Sequence, residues 1–157
     1  MTPKTQLLVI LAAGGALVAA AIAQTPPPIG GRGFSTTLSG ANECNAAGAC
    51  NLGDPDGSGT AMIEVNVGQQ RVCWKITVDN ISAPMRGHIH KGPVGGAGGI
   101  VVPFFEPSTV DLDGCTSTTQ PVDRALLMDI IQHPQDYYVN VHTTDFPAGA
   151  IRGQLGK

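Results

Sequence analysis

Apolar and polar residues alternate with a period of two along most of the chain. Ala61, Ile63, Val65 and Val67 alternate with Met62, Glu64 and Asn66, the pattern of a strand with one buried face. Gly68-Gln69-Gln70 then turns the chain, and Val72, Trp74, Ile76 and Val78 resume the alternation, which together predict a hairpin. Further strands are predicted over Gly33 to Leu38, around Gly87 to His90, and over Ile100 to Phe104, Tyr137 to His142 and Ala150 to Leu155. Phe146-Pro147-Ala148-Gly149 is the turn between the last two. One segment has a different period: Val122, Leu126, Leu127, Ile130 and Ile131 recur at helical spacing. Pro121 stands at its start, Asp123 in its first turn and Pro134 at its close. Many short strands, frequent turns and one short helix in a connection predict a mainly β fold, a Greek-key β-sandwich or barrel.

The beginning of the chain departs from this pattern. Lys4 precedes an uncharged apolar run from Leu7 to Ala20, and Ala21-Ile22-Ala23 has the small-x-small form of a cleavage site. The competing reading is an uncleaved anchor. However, Leu7 to Ala23 is only 17 residues and is loosened by Gly14 and Gly15, at the lower edge for spanning a bilayer. The organisation expected is a signal peptide over 1–23, a Pro/Gly-rich linker over 24–33 and one domain over 34–157, with no membrane span after cleavage. A periplasmic or secreted location follows.

Composition narrows the partners. The chain has 157 residues with 21 Gly, 12 Pro and 13% charged residues, which suits a turn-rich β domain better than a bundle of charged surface helices. A net charge of −3 without a basic stripe argues against nucleic acid as a partner. Cys44, Cys50, Cys73 and Cys115 are even in number and lack a C-x-x-C pair, so an exported chain is expected to form two disulfides. Of the three connectivities, we expect Cys44–Cys50, closing a short loop, and Cys73–Cys115, tying a strand to a distant loop. Asp54-Pro55-Asp56-Gly57-Ser58-Gly59 resembles the opening of a calcium loop but lacks the later Glu, so it reads as a tight turn.

The candidate chemistry lies in the histidines. His88 and His90 form an H-x-H pair on a predicted strand, where i and i+2 project from one face. His142 ends another predicted strand, and adjacency of the two strands would let three imidazoles converge. Three nitrogens with an open position suit copper or zinc. Met85, Glu106 or water could complete such a site. Asn140, two residues before His142, shares its face and could act as an outer hydrogen-bond partner. His133, before Pro134, reads as a helix terminator. No motif assigns a catalytic residue: Ser82 and Ser108 lie outside any G-x-S-x-G elbow.

Four blocks, taken in order, carry a resemblance: Gly87-His88-Ile89-His90-Lys91-Gly92-Pro93, Gly95-Gly96-Ala97-Gly98-Gly99, Tyr137-Tyr138-Val139-Asn140-Val141-His142-Thr143 and Phe146 to Leu155. They resemble the CHRD domain, the module named from chordin, over about Phe34 to Leu155. A looser resemblance, to the copper half of copper/zinc superoxide dismutase, rests on H-x-H, a later V-H and the downstream Gly149-Ala150-Ile151-Arg152. It implies that His88, His90 and His142 match copper-binding histidines and that Arg152 stands roughly where an anion-guiding arginine would. The zinc-subsite residues of that enzyme are missing here. The bland reading of Arg152 is a donor to turn carbonyls or a partner of Asp145.

Three functions are therefore expected in order. The first is an exported copper-binding protein, with zinc as the alternative metal, serving sequestration, delivery or electron transfer. The second is a metal-free module for an extracytoplasmic protein partner. The third is a copper-dependent, dismutase-like redox enzyme.

Overall fold

The computed structural model describes residues 30–156. The expected signal peptide and most of the linker lie outside them. Eight strands are present: β1 (Arg32–Ser39), β2 (Ser58–Asn66), β3 (Arg71–Asp79), β4 (Arg86–Lys91), β5 (Gly99–Phe105), β6 (Asp113–Cys115), β7 (Tyr137–His142) and β8 (Ile151–Gln154). Among the described residues there is a single α-helix, α1 (Arg124–Gln132), in the connection from β6 to β7. All strand pairs are antiparallel, and the sheet runs β5-β4-β7-β8-β1-β2-β3-β6.

Twist curls this sheet into a nearly closed barrel. Trp74 on β3 stacks on Phe104 of β5 at 4.6 Å between ring centroids, although these strands lie near opposite ends of the ladder order. The seam between β5 and β6 is thus closed by side chains. The chain runs β1-β2-β3 as neighbours and crosses to β4, and it crosses again from β6 to β7, a connectivity compatible with a Greek key.

The core forms as the alternation predicts. Ala61, Ile63, Val65, Val72, Trp74 and Ile76 point inward, while Met62 faces solvent. Asp54-Pro55-Asp56-Gly57 is a turn, closed by the Gly57 N–H to the Asp54 carbonyl at 3.1 Å, and β2 starts one residue later. β1 begins at Arg32, inside the expected linker. Both expected disulfides, Cys44–Cys50 and Cys73–Cys115, are formed.

The helix differs in one detail. Asp123 is its N-cap rather than part of its first turn, and its carboxylate accepts from the N–H groups of Ala125 and Leu126 at 2.8 and 3.0 Å. A short carboxylate meets these unpaired donors from just outside the first turn. Leu127 and Ile130 are fully buried and join the helix to the core. His133 is the C-cap and pairs with Asp129 at 2.8 Å. β6 was not anticipated, because three residues are too few for a period of two to show. Its partner is β3, with Cys73 opposite Cys115.

Candidate metal centre

The pairing of β4, β7 and β8 decides which side chains meet. His88 stands opposite Asn140, and His90 opposite Tyr138, across the β4–β7 ladder. On the β7–β8 ladder, Asn140 faces Arg152 and Tyr138 faces Gln154. Opposed residues share a face, so His88, His90, Tyr138, Asn140, His142, Arg152 and Gln154 form one polar surface on the outside of the barrel. Ile89, Val139, Val141 and Ile151 fill the opposite, inner face.

Loops cover that polar surface, so every residue of β7 and β8 is buried. Arg152 fastens the lid. The residue is 2% exposed, and its guanidinium donates to the carbonyls of Gly96 and Pro93 at 2.7 and 2.8 Å and to Gln154 Oε1 at 3.3 Å and lies 3.5 Å above the Tyr138 ring. It is therefore a turn-carbonyl donor. Asp145 is engaged elsewhere, by the Ser82 hydroxyl. Gln154 adds bonds from its amide to the Gly92 and Gln135 carbonyls.

His88, His90 and His142 meet beneath this cover, each offering a ring nitrogen within 4.8 Å of the others. Their hydrogen bonds assign the tautomers. His90 Nδ1 lies 2.9 Å from the Gly98 carbonyl and His142 Nδ1 lies 3.1 Å from the Pro147 carbonyl. A carbonyl only accepts, so both Nδ1 atoms carry hydrogen and both Nε2 atoms present lone pairs. His90 Nε2 is buried and has no partner. His142 Nε2 faces His88 Nδ1 at 3.2 Å and Asn140 Oδ1, itself an acceptor, at 3.1 Å. His88 Nε2 looks outward to Glu106 at 3.7 Å, whose carboxylate is held by Arg86 at 2.9 Å.

The electrostatics keep the cluster uncharged. Burial pushes His88 down to about 4, assisted by His142 and His90 and opposed by Glu106. Burial likewise lowers His90 and His142, the bonds to Gly98 and Pro147 acting the other way. Three neutral, buried imidazoles whose ring nitrogens converge, two of them with free Nε2 lone pairs, could hold a metal ion.

Gly98 has a structural reason to be glycine, since a Cβ there would strike the Lys91 carbonyl. This close approach delivers the Gly98 carbonyl to His90. Met85 is half-buried, and its N–H donates to the His142 carbonyl at 2.8 Å.

The CHRD domain family matches residues 34–155, which contain the whole of this cluster. The chain belongs to the CHRD domain family. No curated protein and no solved structure matches it. The CHRD assignment suggests an extracellular module, and two disulfides accord with an oxidising compartment. Among the described residues no helix is long and apolar enough to cross a membrane.

One residue of the site was missed from sequence. Glu43, only 5% exposed, lies beside Asn140, and burial pushes its carboxyl up to about 7 against the pull of Arg152 and Asn140. It sits in a loop between Asn42 and Cys44, where no periodicity or spacing distinguishes it from a surface acid.

Proposed function

We propose that this CHRD protein is an exported, extracytoplasmic copper-binding protein, periplasmic or secreted, in which His88, His90 and His142 hold one ion. The observation that carries the proposal is the set of buried lone pairs. Among the described residues no side chain satisfies His90 Nε2 with a well-formed hydrogen bond, and an unsatisfied buried acceptor is costly unless a ligand uses it. The Nδ1 bonds to Gly98 and Pro147 give the outer support that metal-binding imidazoles require.

The same bonds indicate the donor atoms. His90 and His142 would bind through Nε2. His88 would bind through Nδ1, which already faces His142, by taking the other neutral tautomer with its proton on Nε2 toward Glu106. Copper is preferred over zinc because three imidazoles suit it and an exported site meets it. A bound copper ion would supply reversible one-electron chemistry. The protein's share is to hold neutral imidazoles, exclude bulk water with the Arg152-fastened loops and keep Glu106 at the outer edge. Sequestration, delivery or electron transfer is the corresponding role.

The test is a copper(II) titration of the chain from Gln24 onward, followed by electron paramagnetic resonance. One equivalent giving a type-2 signal with nitrogen hyperfine structure, lost in His142→Ala, supports the reading. Unchanged stoichiometry in His88→Ala and His142→Ala would overturn it.

A further inference from the structure

Glu43 is a carboxylate in a place that charge should avoid. It is 5% exposed, and its Oε1 is buried without a hydrogen-bond partner. Among the described residues no cation is within ion-pair distance of it. Arg152, whose charge acts on it, is committed to Pro93, Gly96 and Gln154. The fold nevertheless makes room for it. Gly149 has φ +141°, and a Cβ there would collide with the Glu43 carboxylate. The turn that brings Pro147 to His142 therefore also accommodates Glu43.

Asn140 is the link between this acid and the histidines. Its Oδ1 lies 3.1 Å from His142 Nε2, and its side chain also hydrogen-bonds Glu43, lowering that carboxyl. The amide oxygen is the end turned to the ring, so the NH₂ of Asn140 is the end left to donate to the Glu43 carboxylate. A cation held at Nε2 therefore sits beside the Asn140 oxygen, on an amide whose far end is bonded to the Glu43 carboxylate.

We propose that Glu43 is the internal counter-charge of the three-histidine centre, a positioning residue that acts through Asn140 and favours divalent over monovalent ions. The inference rests on the three-histidine reading. Three neutral imidazoles leave a divalent ion with two uncompensated charges in a buried site that already contains the Arg152 cation. Glu106, the other carboxylate near the ring cluster, is about half exposed and neutralised by Arg86. Glu43 is the buried one, where an anion's effect is least screened. Its contribution scales with the charge of the ion.

The experiment compares the full mature chain with Glu43→Gln, which keeps the shape and removes the charge. Zinc(II) affinity is measured by competition with a chromophoric chelator, and copper(I) affinity by competition with a cuprous chelator. Urea unfolding of the metal-free proteins runs alongside. Zinc(II) binding should weaken about tenfold, in the range for outer-shell partners, with copper(I) binding weakened much less and metal-free stability not reduced. Equal zinc(II) affinity in both proteins, or equal losses for the two ions, would overturn the proposal. So would lower metal-free stability with unchanged affinities, which is the signature of a purely structural acid. Asn140→Ala provides the second variant and should lose the same zinc(II) preference. A wild-type chain that takes up neither ion would defeat the three-histidine reading itself, whereas normal uptake with no Glu43 effect defeats only this inference.

Discussion

Arg152 shows how one side chain can organise a site without touching its chemistry. It joins β8 to the Gly-rich loop through two carbonyls and stacks on Tyr138, which in turn stacks on His90 at 4.8 Å. Arg152→Ala should destabilise the fold by roughly 2–3 kcal/mol, since charged hydrogen bonds are lost and Gln154 Oε1 is left buried. Arg152→Lys should recover little, because an ammonium cannot fork between two carbonyls and lie flat on a ring. Urea denaturation of the metal-free protein checks both. His142→Ala belongs to the same scale but should separate the two properties. It should abolish the metal site while circular dichroism keeps the β signature, because Val139 and Val141 on the opposite face hold the strand in the core.

At the scale of elements, β7 is the strand on which the site depends. Its inner residues belong to the barrel core, and its outer residues carry Asn140 and His142 under the loops, so either face alone would fix its register against β4. The helix contributes differently. α1 packs Leu127 and Ile130 into the core, and its Asp129 accepts from Lys91, His133 and the Tyr137 hydroxyl. Asp123→Ala should cost about 1 kcal/mol through loss of the N-cap, read as a lower urea midpoint with metal affinity unaltered. Metal affinity should survive because none of the three histidines hydrogen-bonds to the helix.

For the whole molecule, pH dependence follows from the neutral histidines. In the unfolded chain they take up protons near 6.5, whereas His88 in the folded protein does so near 4, with His90 and His142 also lowered. The unfolded state therefore binds more protons between these values. Stability of the metal-free protein attributable to this cluster is complete above 6.5 and falls as pH drops toward 4. Bound metal should steepen that fall, since protons then compete for the ligands. Urea midpoints between pH 8 and pH 4, with and without zinc(II), measure both effects. The Cys73–Cys115 bridge is also a whole-molecule feature, because it fastens the short edge strand β6 beside the seam of the barrel. Replacing both cysteines with serine should cost about 2–4 kcal/mol, with little change at the distant histidines.

The sequence by itself determined the strands, the hairpin, the helix and the H-x-H pair, because each is a local pattern in which periodicity alone assigns the face. The four family blocks also made the CHRD resemblance legible before any fold was known. The three-residue β6 was too short to read, and the helix cap was displaced by one position because Asp at its start fits either place. Tertiary structure decided what no spacing encodes. It placed β4 next to β7, so that His142 joins His88 and His90. It also folded the Gly98 and Pro147 carbonyls over the rings to set their tautomers, and it enclosed Glu43 with Gly149 beside Asn140. These contacts join residues separated by up to about a hundred positions, as with Glu43 and Asn140. Their partners are chosen by the closing of the barrel, and the burial that gives the histidines and Glu43 their charge states exists only once it has closed.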